Sequence, residues 1–211
     1  MESSLSLATA GVMRAAPVIP VLVVEDLAKA RPMAEALVAG GLVVLEVTLR
    51  TPAALDAIRA MRAVPGALVG AGTVLDPDML DAAIEAGAEF IVSPGLTDRL
   101  GQAAIARGVP FLPGIANAGD IMRGLDLGLT HFKFFPAEAS GGLAALKALA
   151  GPFGQCRFCP TGGIRQDNAV NWLAVPQVLC VGGSWLVGKG ETDWAAVEAR
   201  AREAAALGNA L

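Results

Sequence analysis

A chain of 211 residues can form one large domain or two small ones, and in either case it can bury most of the apolar surface its unfolded form exposes. With 54% hydrophobic residues, 17% charged residues and a net charge of -4, it reads as a soluble, core-rich globule with no electrostatic pull on nucleic acid or anionic lipid. The apolar stretches are strand-sized and broken every few residues by Gly, Pro or charge, so none is long enough to span a bilayer.

The first segment, MESSLSLATAGVMRAAP, has an acidic first turn and lacks the basic start and apolar run of a secretory signal. It is expected to form a short N-terminal helix, and the chain is expected to be cytoplasmic. Eight strand-like runs follow, beginning near Val18 (VIPVLVV), Leu42 (LVVLEVTL), Ala67 (ALVGAGTV), Glu89 (EFIVSPG), Pro110 (PFLPGIA), His131 (HFKFFP), Arg157 (RFCPTGG) and Val178 (VLCVGGSW). Between them lie Ala-rich segments with helical spacing, such as LAKARPMAEALVAG, DMLDAAIEAGA, TDRLGQAAIARG and AGDIMRGLDLG, several closed by a glycine. Strand starts about 21 to 26 residues apart leave room only for a helix that crosses directly to the next parallel strand. The expected fold is α/β, a single-domain (β/α)8 barrel over residues 1–211. A doubly wound sheet is the alternative, but VLVVEDLAKA lacks its glycine-rich first turn.

Side chains alternate along a strand, so residues of one parity share a face. In LEVTLR the polar set Glu46, Thr48 and Arg50 is expected to face the barrel centre, with Leu45, Val47 and Leu49 against the helices. GAGTV brings Thr73 to the end of the third strand. In HFKFFP the cation Lys133 interrupts an apolar run and shares its inward face with His131 and Phe135. A buried ammonium is costly unless it is paired or neutral, so Lys133 calls for a function. His131, the only histidine, sits deeper in the strand and reads as structural.

Cys156, Cys159 and Cys180 cannot all pair, which fits a reducing compartment, and the QCRFCP spacing lacks the helix N-terminus that a redox CxxC uses. The seventh strand ends in Thr161, Gly162 and Gly163, and the eighth in Gly182, Gly183 and Ser184. Glycines there let backbone N–H groups approach an oxyanion, and a following helical turn adds its positive end, so phosphate binding is expected at both loops. No ligand-spaced cluster of metal donors exists, and no cofactor is expected.

A lysine amine held among apolar groups gives up its proton more readily, and the neutral amine can attack a carbonyl to form a Schiff base. The iminium is an electron sink for a neighbouring C–C bond, and Glu46, the only carboxylate inside a strand core on the inward face, can shuttle the proton. The bland alternative is a buried ion pair. Arg50 has the planar fork to hold the carboxylate of an α-keto acid, with Thr73 helping. Asp26, Glu138, Asp167 and Lys189 read as solvated or capping residues.

LEVTLRTP, VGAGTVL, the SPG of FIVSPG, FKFFPAE, FCPTGGI and VGGSWLV occur in that order over nearly the whole chain. Together they resemble the bacterial 2-dehydro-3-deoxy-phosphogluconate aldolases, which often also act as 4-hydroxy-2-oxoglutarate aldolases. The resemblance implies a class I, metal-independent aldolase that releases pyruvate and glyceraldehyde 3-phosphate, closing the Entner-Doudoroff pathway. It further implies Lys133 as the Schiff-base lysine, Glu46 as the general acid/base, Arg50, Thr73 and Thr161 at the substrate carboxylate, and Gly162, Gly163, Gly183 and Ser184 at the phosphate. A homotrimer that binds only small-molecule substrates is implied as well. Asn117 and Asp120 in PGIANAGDI depart from the family pattern and can either touch substrate or cap the next helix.

A related enzyme acts on the galactonate epimer, and Thr161 favours the gluconate form. Other rivals are a different phosphate-binding barrel enzyme and a non-catalytic sugar-phosphate sensor. Neither needs Lys133 opposite Glu46.

Overall fold

In the computed structural model, which describes residues 4–210, the chain alternates apolar strands with amphipathic helices after a first helix. Glu2, and with it the acidic first turn, lies outside the described residues. That helix is α1 (Ser4–Arg14), and it leads to β1 (Val18–Leu22). A 3-10 turn at Leu27–Lys29, capped by the Asp26 carboxylate, runs into α2 (Ala30–Ala39). There follow β2 (Val44–Thr48), α3 (Ala54–Arg62), β3 (Leu68–Gly72), α4 (Pro77–Glu85), β4 (Ile91–Val92) and α5 (Asp98–Arg107). The second half holds β5 (Phe111–Leu112), β6 (Gly114–Ile115), α6 (Ala118–Asp126), β7 (His131–Phe134), α7 (Gly142–Ala150), β8 (Arg157–Pro160), α8 (Gln166–Leu173), β9 (Val181–Gly183) and α9 (Trp194–Ala206).

Local chemistry starts and stops these helices. Asp76 accepts from the Met79 amide at 2.8 Å with Pro77 in the first helical position, and Thr97 accepts from Leu100 at 3.2 Å. Gly108 ends α5 at φ 64, a left-handed position that glycine adopts at no steric cost.

Every strand pairing is parallel, but the ladders fall into two sheets, β5-β4-β3-β2-β1-β9 and β6-β7-β8. The expected closed eight-stranded ladder is therefore not formed, and two prolines account for the breaks. Pro113 splits the fifth expected strand, since it has no N–H to donate; β5 pairs back to β4 while β6 pairs forward to β7. Pro160 ends β8 and has no N–H to donate, and on either side of it only isolated bridges, Phe158 to Val178 and Thr161 to Gly182, reach the last strand-like run. The register advances by one residue between those bridges, so no continuous ladder connects them. The eighth strand accordingly begins at Val181 rather than Val178.

The outward residues of these strands and the inner faces of the helices form one buried cluster that includes Leu45, Val47, Phe132, Phe134, Phe158 and Trp172. At one border of the larger sheet, α1 covers the edge. The Thr9 hydroxyl, only 3% exposed, accepts from the Phe111 amide at 3.2 Å and lies 3.4 Å from the Phe111 carbonyl. An uncovered edge strand would leave that amide without a partner. Thr9→Val keeps the shape and removes the acceptor, so it should lower stability by about 1–3 kcal/mol, read as a shift in the urea midpoint at constant slope.

Candidate active site

Two strands from different sheets supply the central contact. Glu46 projects from the middle of β2, and Lys133 from β7, where its amide donates to Pro113 O at 2.8 Å. The two side chains meet inside: Lys133 Nζ donates to Glu46 Oε1 at 3.1 Å, with Lys133 5% and Glu46 3% exposed. The ammonium also lies 5.3 Å from the centroid of the Phe135 ring, whose face attracts a cation. Both side chains therefore lie on the inward face that strand alternation predicts.

The remaining expected residues are arranged at increasing exposure. Thr161, 6% exposed, follows β8 on the face it shares with Cys159, which is itself the register partner of Lys133. Its hydroxyl lies 3.4 Å from Cys159 O and 3.8 Å from Cys159 Sγ. Arg50 stands beyond the end of β2 and is exposed, and its Nε donates to Thr73 Oγ1 at 3.2 Å. Thr73 sits at φ 60, which a β-branched residue rarely adopts. Thr48, of the same parity as Glu46, instead donates to Leu22 O at 2.8 Å and serves the sheet.

The bridge from Thr161 to Gly182 sets the two glycine loops side by side. Gly162 and Gly163 have φ 101 and 81, and α8 begins three residues later, so a helix N-terminus follows as expected. After β9 no helix starts until Trp194, so the expected helical turn is missing at Gly183 and Ser184. There the bare glycine accommodates Trp185: a Cβ at Gly183 would lie 2.5 and 2.6 Å from two of its ring atoms. Trp185 Nε1 is buried without a partner among the described residues, and the sequence reading missed it although a Trp directly after GGS was the available signal. Ser184, with Val21, Val24, Lys29, Met33 and Glu191, lines a cavity of about 370 Å³.

Several residues fall outside the site. Asn117 Oδ1 accepts from the Asp120 amide at 3.1 Å, and Asp120 Oδ2 accepts from Ala116 N at 3.0 Å, so this pair caps α6. His131 is buried at the start of β7 with Nδ1 3.1 Å from Thr130 Oγ1. Among the described residues no group of three His, Cys, Asp or Glu is set to hold a metal ion, and no helix is long and apolar enough to cross a membrane.

Residues 10–200 match the family model described as KDPG and KHG aldolase. The chain belongs to that family. It is 64% identical over 196 residues to the 2-dehydro-3-deoxy-phosphogluconate aldolase of Zymomonas mobilis, covering 93% of this chain and 94% of the relative. Among solved structures, the 2-keto-3-deoxy-6-phosphogluconate aldolase of Zymomonas mobilis ZM4 with 3-phosphoglycerate is 63% identical, with a TM-score of 0.93 over 94% of this chain and 95% of that one. The KDPG aldolase of Legionella pneumophila, with pyruvate captured at low pH as a covalent carbinolamine intermediate, is 45% identical. Its TM-score is 0.91 over 93% of this chain and 98% of that one.

The three cysteines are free and buried. Burial pushes the Cys156 thiol up to about 11, the opposite of the lowered value a reactive thiol needs, and it also raises Cys180, which lies outside the CxxC. A raised thiol stays protonated at pH 8, and its thiolate accumulates only as the pH nears 11. Iodoacetamide at pH 8 should therefore leave native Cys156 unmodified and label it in denaturant. Rapid native labelling, read by peptide mass, would contradict this environment.

Proposed function

We propose that this chain is a class I aldolase that cleaves 2-dehydro-3-deoxy-6-phosphogluconate to pyruvate and glyceraldehyde 3-phosphate, and also 4-hydroxy-2-oxoglutarate to pyruvate and glyoxylate. The buried 3.1 Å contact between Lys133 and Glu46 carries the reading. Family membership and the names of its relatives support it.

Lys133 Nζ attacks the C2 carbonyl, and loss of water from the carbinolamine leaves an iminium. Glu46, already beside Nζ, takes the proton of the C4 hydroxyl as the C3–C4 bond breaks into the iminium. The aldehyde departs, the enamine gains a proton at C3, and hydrolysis frees pyruvate and the lysine. The iminium supplies the electron sink, so no metal enters the reading. The covalent pyruvate adduct of the Legionella pneumophila relative fits such a path.

Arg50, Thr73 and Thr161 are assigned to the substrate carboxylate, because a guanidinium braced by a hydroxyl suits it. Gly162, Gly163, Gly183 and Ser184 are assigned to the phosphate, where the positive φ of Gly162 and Gly163 can turn amides towards an oxyanion. Thr161 favours the gluconate over the galactonate epimer. The reading extends to a single (β/α)8 barrel over 1–211, closed through the isolated bridges on either side of Pro160, and to a cytoplasmic homotrimer in the Entner-Doudoroff pathway; the family resemblance supports these.

Borohydride added with pyruvate should inactivate the protein and leave an adduct on Lys133, located by peptide mass. An adduct elsewhere, or none, overturns the Schiff-base assignment. Glu46→Gln should keep trapping but slow turnover by about 10²–10⁴-fold, the range of a positioned acid/base. Ser184→Ala should raise KM for the phosphorylated substrate roughly tenfold, as loss of a hydrogen bond to a charged group does, with no change for 4-hydroxy-2-oxoglutarate. Equal effects on both substrates would remove Ser184 from the phosphate site.

A further inference from the structure

Strand β3 carries two glycines opposite β2. Gly70 is the register partner of Glu46, and Gly72 is the partner of Thr48. Glycine weakens a strand interior, so each needs a reason. Neither sits in the left-handed region, so backbone torsion is not that reason. Space is. A Cβ at Gly70 would lie 2.5 Å from three atoms of the buried Phe90 ring, which makes Gly70 a packing glycine.

At Gly72 the obstacle is Glu46 itself. A Cβ there would lie 2.7 Å from Glu46 Cγ and 2.8 Å from Cδ, and closer still to Oε1. Real Cβ atoms essentially never approach within 3.0 Å of another heavy atom. Oε1 is also the oxygen that meets Lys133 Nζ at 3.1 Å. The carboxylate of Glu46 therefore lies over the bare backbone of the neighbouring strand. The same relation recurs across the site, where a Cβ at Gly182 would lie 2.8 Å from Thr161 Cγ2 and 3.0 Å from its Cβ.

We propose that Gly72 is a positioning residue: its missing side chain leaves the hollow in which the Glu46 carboxylate rests facing Lys133. The inference rests on the reading of Glu46 as the proton carrier and adds what holds it in place. A methyl group at 72 meets the end of the Glu46 side chain and not a packed ring, so it moves a proton-transfer group by a distance that matters and loosens a buried ion pair. A methyl at 70 presses on a packed ring, where the cost falls on stability.

Gly72→Ala, Gly70→Ala, Glu46→Gln and the Gly72→Ala/Glu46→Gln double variant test this by three readouts. These are deuterium exchange into the pyruvate methyl group, borohydride trapping of pyruvate, and Tm. Gly72→Ala should slow exchange about 10²-fold with trapping retained, an effect on exchange in the folded protein that Gly70→Ala does not share. Gly70→Ala should lower Tm while exchange in the folded protein stays near the wild-type rate. The double variant should exchange no more slowly than Glu46→Gln alone, because both changes act through one group.

Normal exchange in Gly72→Ala, or a further multiplicative loss in the double variant, overturns the proposal. Normal exchange in Glu46→Gln instead overturns the reading of Glu46, and the inference falls with it. If Gly72→Ala fails to fold, it is placed in a Glu46→Ala background, where the obstructing atoms are gone. Recovery of folding there supports the proposal, and failure in both backgrounds overturns it.

Discussion

The structure is organised around a lysine and a glutamate that touch in the interior, Lys133 5% and Glu46 3% exposed. Removing two charged groups from solvent costs several kcal/mol for each, and their attraction offsets this only when their geometry is held closely. Here the partners stand on β2 and β7, strands of two sheets that share no ladder. Backbone pairing cannot set their separation, so side-chain packing does. Phe132 and Phe158 stack on adjacent strands with centroids 6.4 Å apart, and Phe134 meets Trp172 of α8 at 6.4 Å. One strand, β7, thus anchors outward through two aromatic rings and presents its amine inward.

From that buried centre the polar groups grade outward. Thr161 is buried, Thr73 half-buried and Arg50 exposed. The strained backbone of Thr73 falls within this gradient. A β-branched residue in the left-handed region costs about 1–2 kcal/mol, and here the strain coincides with a hydroxyl turned to the Arg50 guanidinium. The groups proposed to bind the substrate carboxylate thus reach towards solvent, whereas the proposed reacting pair is buried.

Period-two alternation in LEVTLR and HFKFFP made Glu46 and Lys133 legible as an inward pair, because parity survives any detail of sheet closure. Residue type also marked Asp26 as a capping residue, which it is at the turn Leu27–Lys29, but left Asn117 open between capping and substrate contact. The two breaks in the expected closed ladder were not foreseen, although their signal was present: PFLPGIA and RFCPTGG each carry a proline inside the run, and a missing amide interrupts a ladder there. The glycines of β3 were opaque for a different reason. Whether a bare backbone position accommodates a ring or a carboxylate depends on which side chain from another strand lies over it, and linear spacing does not record that. The same limit hid the Trp185 ring that lies against Gly183.

The hydroxyl of Thr9 bonds to a strand residue 102 positions later in the chain. On a ribosome the first helix emerges without its partner, and the border of the larger sheet is assembled only after half of the chain has been made. Until α1 returns to it, Phe111 offers an open amide to any extended segment nearby. The N-terminal helix therefore acts as a late latch, and its arrival marks the point at which a growing chain stops being available to its neighbours.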